Sequence, residues 1–312
     1  MIGGCLKSSS LCAVALGLVF WFLGDARPAV SEPAGFAFLE VPAGARASAM
    51  GGAYGTRAEG AEAVFWNPAG LATAAGVQIT ASHFEFLQNL RHAQFAVAGR
   101  LFGGGSAAAL RAMYSEPIVE RDVLGNAVGT FGAHDLEIGL AHGRSLGGGL
   151  RAGGSVQIVR ERIAEFSATT FAAGLGATWD PQPWPRLRFG ASAHHLGPAG
   201  RYDLDGARGE PVPLPSAFQL GASCGLPVGG LDLHGVLEGR ITRGRQGVAM
   251  IGAEAVHATG AALRLGMRAN DPTTTFSAGV GYAAGGVKLD YAFVPFRLEL
   301  GETHRFSVSA QF

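Results

Sequence analysis

The sequence ends on the stretch Thr303-His304-Arg305-Phe306-Ser307-Val308-Ser309-Ala310-Gln311-Phe312. Its apolar residues fall on every second position: Phe306, Val308, Ala310 and Phe312. The polar residues between them fall on the opposite face. A period of two predicts a β-strand with one apolar and one polar face. The fold should therefore be built from strands that each separate an oily surface from a polar one.

The composition narrows the class of protein. Lys+Arg and Asp+Glu both number 24. The chain therefore has no excess of basic residues that would predict binding to nucleic acid. A hydrophobic content of 48% argues against disorder. Glycine is abundant, with 49 residues, and charged residues make up only 15%. An all-β protein with many tight turns fits these values.

The first 29 residues have the pattern of a secretory signal peptide. Lys7 supplies the positive charge, and the apolar run 11–23 is short for a membrane-spanning helix of roughly twenty residues. Small residues place the cleavage after Ala26 or Ala29. An uncleaved anchor helix is the alternative. The mature chain would keep only Cys224, so we expect no intramolecular disulfide.

Segments of about ten residues, the length of a tilted membrane strand, fill the chain from residue 76 to 312. We predict fourteen: 76–85, 92–102, 106–115, 132–143, 150–163, 169–180, 186–196, 216–226, 231–242, 247–257, 261–269, 274–283, 286–296 and the terminal strand. Short glycine or proline turns follow the even strands, and two longer loops, 116–131 and 197–215, follow odd ones. This asymmetry is typical of a transmembrane antiparallel β-barrel.

A soluble β-sandwich or propeller is the alternative fold. The signal peptide, the lack of disulfides and the terminal aromatic strand favour the membrane barrel. We therefore predict a barrel over residues 76–312 in the bacterial outer membrane, in contact with outer-membrane lipid. The barrel-assembly machinery is an expected partner, with Phe306, Val308, Ala310 and Phe312 as its assembly signal.

Residues 30–75 do not alternate and are rich in small side chains. We predict that they form a hatch, a compact plug inside the lumen. The segment from Thr56 to Trp66 could form a helix, which would end at Asn67 because Pro68 disfavours helix at the residue before it.

Two motifs in this region carry a family resemblance. Gly44-Ala-Arg-Ala-Ser-Ala-Met-Gly-Gly-Ala53 and Trp66-Asn67-Pro68-Ala69-Gly70-Leu71 resemble the N-terminal signature of the PorV/PorQ family, a branch of the FadL-like outer-membrane barrels. Leu289–Phe296, Leu300–Ser307 and Pro213-Leu214-Pro215 resemble later parts of the same family. The resemblance implies a fourteen-stranded barrel whose hatch contains the motif Trp66, Asn67, Pro68, Ala69 and Gly70.

The resemblance implies two functions. The first is association with type IX-like protein secretion, in which the barrel binds the C-terminal domains of exported cargo and a secretion translocon. The alternative is a FadL-like channel for uptake of hydrophobic small molecules. The residues do not distinguish between these two functions, although the modest length of the outer loops slightly favours a barrel that binds a protein partner.

Charged residues on the predicted inner face are mixed in sign: Arg188, Asp232, Glu238, Arg240, Arg264, Arg268, Lys288 and Asp290. We interpret them as a salt-bridged network that also holds the hatch, rather than as a selectivity lining, which usually shows one sign. His194 and His195 are adjacent in a strand, so we expect them to face opposite sides and not to share a metal ion. We predict no catalytic residue, no cofactor and no metal, and hence no enzyme.

Overall fold

A computed structural model describes residues 35–87, 90–184, 186–204, 206–297 and 299–312. The predicted signal peptide and residues 30–34 of the predicted hatch lie outside these residues.

Strands dominate the described part of the chain. They are β1 (Gln78–Glu85), β2 (Leu90–Leu101), β3 (Gly104–Ser115), β4 (Ile118–Arg121), β5 (Ala127–Phe131), β6 (Ala133–Gly147), β7 (Leu150–Ile163), β8 (Phe166–Trp179), β9 (Leu187–Leu196), β10 (Gly200–Leu204), β11 (Ala207–Val212), β12 (Ala217–Val228), β13 (Leu231–Thr242), β14 (Val248–His257), β15 (Ala261–Ala269), β16 (Phe276–Ala284), β17 (Val287–Pro295) and β18 (Glu302–Gln311).

Fourteen of these strands form a closed antiparallel ring, which confirms the predicted barrel. The ring follows the chain as β1, β2, β3, β6, β7, β8, β9 and β12 to β18. It closes where β1 pairs with β18, with Ile79 opposite Ala310. Closure leaves no unpaired strand edge, which a bilayer would not tolerate.

The two remaining strand pairs are hairpins within the segments that the sequence predicts as loops, 116–131 and 197–215. β4 pairs with β5, and its turn is held by Asp122, which accepts hydrogen bonds from the amides of Leu124 and Asn126. β10 pairs with β11 and also with β8, where Tyr202 lies opposite Ala168. Both hairpins are largely exposed, so they lack the apolar alternation from which a strand is predicted.

The barrel is oily outside. Leu140, Val156, Phe171, Leu175 and Leu263 point outward with exposed fractions of 60 to 65%. Their strand neighbours point inward and are buried or half-buried, as the alternation predicts. An apolar band of this kind is the surface that a barrel presents to lipid.

Residues 35–75 lie inside the ring as the hatch. They form short 3₁₀-helices, Ala37–Glu40, Gly60–Glu62 and Pro68–Thr73, and short α-helices, Ala45–Ala49 and Ala63–Trp66. The predicted helix from Thr56 to Trp66 is wrong in its first half, because Gly60 adopts a left-handed backbone (φ 61°) that a right-handed helix does not accept. The end at Asn67 is as predicted.

Buried residues cluster where the hatch meets the wall. Met50, Tyr54, Trp66 and Leu71 of the hatch pack against small wall residues such as Ala96. The core of this protein is therefore the interface between plug and barrel. Among the helices of the described residues, none has the length and apolar character needed to cross a bilayer.

Candidate functional site: the hatch and its cavities

The motif around Asn67 is buried against the wall. Asn67 ends one helix and begins the next, and its Oδ1 accepts a hydrogen bond from the amide of Ala69 at 3.1 Å. Its Nδ2 donates towards the carbonyl oxygens of Ala177 on β8, at 3.3 Å, and Ala191 on β9, at 3.4 Å. Asn67 thus connects the hatch to two adjacent strands.

The rest of the motif completes the turn. Trp66 is 4% exposed and donates from Nε1 to the carbonyl of Ala43 at 3.0 Å. Pro68 occupies the first position of its 3₁₀-helix, where its fixed φ is accepted. Ala69 is fully buried, and a side chain at Gly70 would meet the carbonyl of Ala58.

Glycines in the barrel wall allow the hatch backbone and side chains to pack directly against the strands. A Cβ at Gly176 would lie 2.0 Å from Oδ1 of Asn67. A Cβ at Gly266 would lie 2.0 Å from the amide nitrogen of Gly51. Neither approach leaves room for a side chain, so the sequence needs glycine at both positions.

The side chain of Glu238 binds backbone amides of the hatch. The carboxylate, fully buried on β13, accepts hydrogen bonds from the amides of Tyr54 and Gly55, both at 3.0 Å, and of Thr56 at 2.6 Å. Gln219 donates to the same carboxylate. Buried charge of this kind is tolerated only when it is hydrogen-bonded, and here the hatch supplies the donors.

Arg264 and Asp290 belong to a chain of ion pairs. Arg264 contacts Glu254 and Asp290, each at 2.7 Å. Glu254 also forms an ion pair with Arg46 of the hatch, at 2.6 Å. A second hatch arginine, Arg57, lies 4.0 Å from Glu254.

Arg268 and Arg188 also hold the hatch. Arg268 donates from Nε to the carbonyl of Gly51 at 2.6 Å and pairs with Asp271 at 2.9 Å. Arg188 pairs with Glu59 at 2.6 Å and with Asp180 at 2.7 Å. Burial opposes the charge of Glu59, yet the hydrogen bond and charge of Arg188 hold the pKa of Glu59 below its usual value.

Three of the predicted inner charges take no part in these hydrogen bonds and ion pairs. Asp232 and Lys288 are exposed near the glycine turns and form no ion pair with a described residue. Arg240 is largely covered, yet no hydrogen bond or ion pair joins its side chain to the part of the chain that the structure describes. It borders cavities instead.

Several residues that contact the hatch were not among the predicted inner charges. Arg305 donates to Ser48 at 3.0 Å, and Arg111 donates to the carbonyl of Leu39 at 2.9 Å. Arg305 already stood on the polar face of the terminal strand, so alternation could have indicated it. Glu254 lies in the predicted segment 247–257, whose alternation is weak, and only its charge within an apolar segment marks it.

The expectation that His194 and His195 face opposite sides is wrong. His195 has a left-handed backbone (φ 53°), and the β8–β9 pairing shifts register beside it. Both histidines therefore border the same small space against Leu39 and Trp66 of the hatch. A bulge re-aims a side chain in this way. The described residues contain no group of three or more potential metal ligands.

The predicted assembly signal lies at the ring closure. Phe306, Val308 and Phe312 are exposed on the outer face, at 58, 42 and 78%. The backbone of Phe312 exchanges hydrogen bonds with Val77, at 2.9 and 3.2 Å. Its role in assembly stays a prediction.

The hatch separates two cavities. The loop end is the rim with the β4–β5 hairpin and the segments 243–247 and 270–275. The turn end is the rim with the glycine turns at 103, 148–149 and 285–286. The loop-end cavity has a volume of about 900 Å³ and is mostly apolar. Its lining includes Phe38, Val41, Trp66, Met113, Val294 and Phe296.

The turn-end cavity, of about 510 Å³, is more polar. Arg46, Tyr54 and Glu62 of the hatch border it, with Gln78 and Asp290 of the wall. Burial raises the pKa of Glu62, against the opposing charge of Arg46.

A third depression, of about 610 Å³, lies in the wall where β8 meets β9, which we term the β8–β9 seam. It is lined by outward residues such as Ala191 and Phe218 and by the inward residue Arg240. Arg240 also lines the loop-end cavity. Arg240 is thus the residue that the two linings share.

Comparison with solved structures identifies the architecture. The CymD monoaromatic hydrocarbon channel superposes with a TM-score of 0.61 at 14% identity, over 86% of this chain and 97% of that one. The fold is that of the FadL-like outer-membrane channels. The Pseudomonas putida toluene transporter TodX gives 0.54 at 13% identity, over 90 and 98% of the two chains. A Pseudomonas aeruginosa FadL homologue gives 0.51 at 12% identity, over 86 and 98%.

No family model and no curated protein matches this sequence. The FadL-like barrel, with its closed ring and apolar exterior, is a bacterial outer-membrane protein. Its short turns then face the periplasm, and the loop end faces outward. The neighbouring structures are channels.

Proposed function

We propose that this barrel is an outer-membrane channel for hydrophobic small molecules. The observation that carries the proposal is that Arg240 borders both the loop-end cavity and the depression at the β8–β9 seam. In this proposal, a molecule held in the loop-end cavity would pass Arg240 to reach a depression that opens onto lipid.

The chemistry of the cavity suits an apolar solute. Aromatic and aliphatic side chains of both hatch and wall form most of its surface, including Phe38 and Phe296. Its volume falls within the range of small-molecule sites, roughly 300–1,000 Å³. Transfer from water into such a cavity is favourable in proportion to the apolar area removed from solvent.

The seam provides the exit in this proposal. Ala191, one of the residues that line the depression, has a small side chain and so leaves space on the outer face of the wall. Asn67 stands behind it, with its amide at the carbonyls of both strands. A shift of this turn would change the contact between hatch and seam without breaking the ring. A solute leaving here would enter the bilayer directly.

The fold similarity to hydrocarbon channels supports this proposal over secretion. CymD is described as a monoaromatic hydrocarbon channel and TodX as a toluene transporter. Association with a type IX-like translocon and cargo rests on the sequence resemblance to PorV/PorQ alone. The proposal needs no catalytic step and no cofactor.

Uptake of radiolabelled toluene by cells that produce the barrel tests the function. Cells with the barrel should take up toluene severalfold faster than cells with an empty vector. Ala191→Trp should slow uptake by filling the depression. Ala253→Trp, at an exposed outward alanine of β14 away from the seam, is the matched control and should not.

The possible outcomes distinguish the channel function from the exit route through the β8–β9 seam. Equal uptake with and without the barrel would refute the channel. Barrel-dependent uptake that both tryptophan variants leave unchanged would refute the seam as the exit. Recovery of exported proteins through their C-terminal domains, without any toluene uptake, would favour the secretion hypothesis.

A further inference from the structure

A cationic patch lies on the outside of the barrel at the loop end. Arg160 and Arg162 of β7 are both exposed on the outward face. The cross-strand partner of Arg162 is His134 of β6, which is also exposed. We call these three residues the β6–β7 patch.

The patch sits directly above the apolar belt. Ile138, Ile158 and Phe171 are cross-strand neighbours on β6, β7 and β8, with exposed fractions of 50, 50 and 63%. The next outward residue of β7 is Arg160, and the one after it is Arg162. The surface thus changes from oily to positively charged within two residues, at the level where a bilayer changes from acyl chains to headgroups.

The two arginines lack acidic partners. Neither forms an ion pair with any residue in the described ranges, and Arg162 donates only to the carbonyl of Ala164, at 2.8 Å. Glu161 between them points inward and binds the amide of Phe36 at 2.7 Å. Residues two apart on one strand face are about 7 Å apart, so the like charges repel unless an anion lies between them.

Another outward arginine at the same end is compensated. Arg91 of β2 pairs with Glu116 at 2.5 Å. Unlike Arg91, Arg160 and Arg162 have no acidic partner among the described residues. Guanidinium groups bind phosphate oxygens in a two-pronged geometry, as they also bind carboxylates.

We propose that the β6–β7 patch binds the phosphate groups of outer-leaflet lipid, as a fixed lipid site on the barrel exterior. Continuity with the lipid-facing belt selects this occupant, because a molecule bound there would place its acyl chains against Ile158 and Phe171 while its phosphate meets Arg160 and Arg162. The proposal is independent of what passes through the lumen.

Binding of lipid A, a bis-phosphorylated glycolipid, to the detergent-solubilised full chain tests this site. Wild-type protein should bind lipid A more tightly than a dephosphorylated analogue. The double variant R160Q/R162Q should lower the affinity at least about tenfold, which corresponds to about 1.4 kcal/mol. R144Q is the matched control, since Arg144 is an outward arginine of β6 at the turn end, and should bind as wild type does.

Two further measurements keep the result unambiguous. R160K/R162K retains the charge and should recover part of the affinity, while the heat-dependent gel shift of a folded barrel reports assembly of every variant. Equal lipid A binding by wild type and R160Q/R162Q would overturn the proposal. Full displacement of lipid A by inorganic phosphate would also overturn it, as would equally tight binding of phosphatidylglycerol.

Discussion

Arg46 of the hatch and Glu254 of β14 form a two-pronged ion pair, with Nε to Oε1 at 2.8 Å and Nη2 to Oε2 at 2.6 Å. Arg264 shares the same carboxylate, so Glu254 links plug and wall. Its side chain is 1% exposed. Loss of this one carboxylate would leave Arg46 without its ion-pair partner and Arg264 with Asp290 alone.

Glu254→Gln should therefore loosen the hatch. Breaking a buried ion pair by removing one partner costs about 3–5 kcal/mol. We expect a lower thermal unfolding temperature and a higher conductance in planar bilayers. Asp232→Asn, which removes an exposed charge at the turn end, is the control and should change neither. Unchanged conductance and unfolding temperature in Glu254→Gln would show that the ion pair does not hold the hatch.

Asn67→Ala should open the contact between hatch and seam. The variant loses the cap on Ala69 and the two contacts to strand carbonyls, at a cost of about 1–2 kcal/mol. We expect increased leak of small solutes into proteoliposomes and a lower unfolding temperature. Asn126→Ala removes an amide from an exposed hairpin and should leave the leak as it is. Equal leak in both variants would argue against a role for Asn67 in sealing.

Gly176→Ala tests how tightly the hatch is seated. The new Cβ would lie 2.0 Å from Oδ1 of Asn67, so hatch or strand must move. Overpacking of this kind costs about 1–3 kcal/mol. Gly235→Ala meets no atom within 4 Å and should shift stability by no more than about 0.5 kcal/mol. Unfolding by denaturant, followed by the gel shift of the folded barrel, distinguishes the two.

Acid should weaken the loop that joins β15 and β16. Burial alone would raise the pKa of Asp271, but hydrogen bonds from Thr273 and the charge of Arg268 hold it below its ordinary value of 3.8. Because the folded pKa is depressed, the stabilisation is complete above the ordinary value and is lost as the pH falls through the folded pKa.

The thermal unfolding temperature should thus fall below about pH 4 in the wild type, and fall less in Asp271→Asn, which has no carboxylate to protonate there. Measurements at pH 7, 5 and 3 would show the difference. An identical decline in wild type and variant would mean that other groups account for it.

Much of the barrel could be predicted because apolar and polar residues alternate along each strand, and this alternation is visible within the strand's own sequence. Leu136, Glu137 and Ile138 alternate as the lipid and the lumen require, and the predicted segment 261–269 matches β15. The β9 bulge at His195 was not predictable from the sequence. No glycine marks the left-handed residue, and the register shift is seen only in the pairing with β8.

The hatch contacts illustrate the same limit. Glu238 could be placed on the inner face, yet its partners are backbone amides of the hatch, which have no residue-specific signal. Gly176 and Gly266 appear in the sequence as ordinary strand glycines. Only the packed structure shows that each faces hatch atoms.

The tether between hatch and barrel is short. Four residues, 74–77, separate the last hatch helix from β1, and β1 is itself locked between β2 and β18. Four residues span at most about 14 Å even when fully stretched. The plug therefore cannot swing away from the lumen at this end as a hinged door would, and any passage must be made by rearrangement in place.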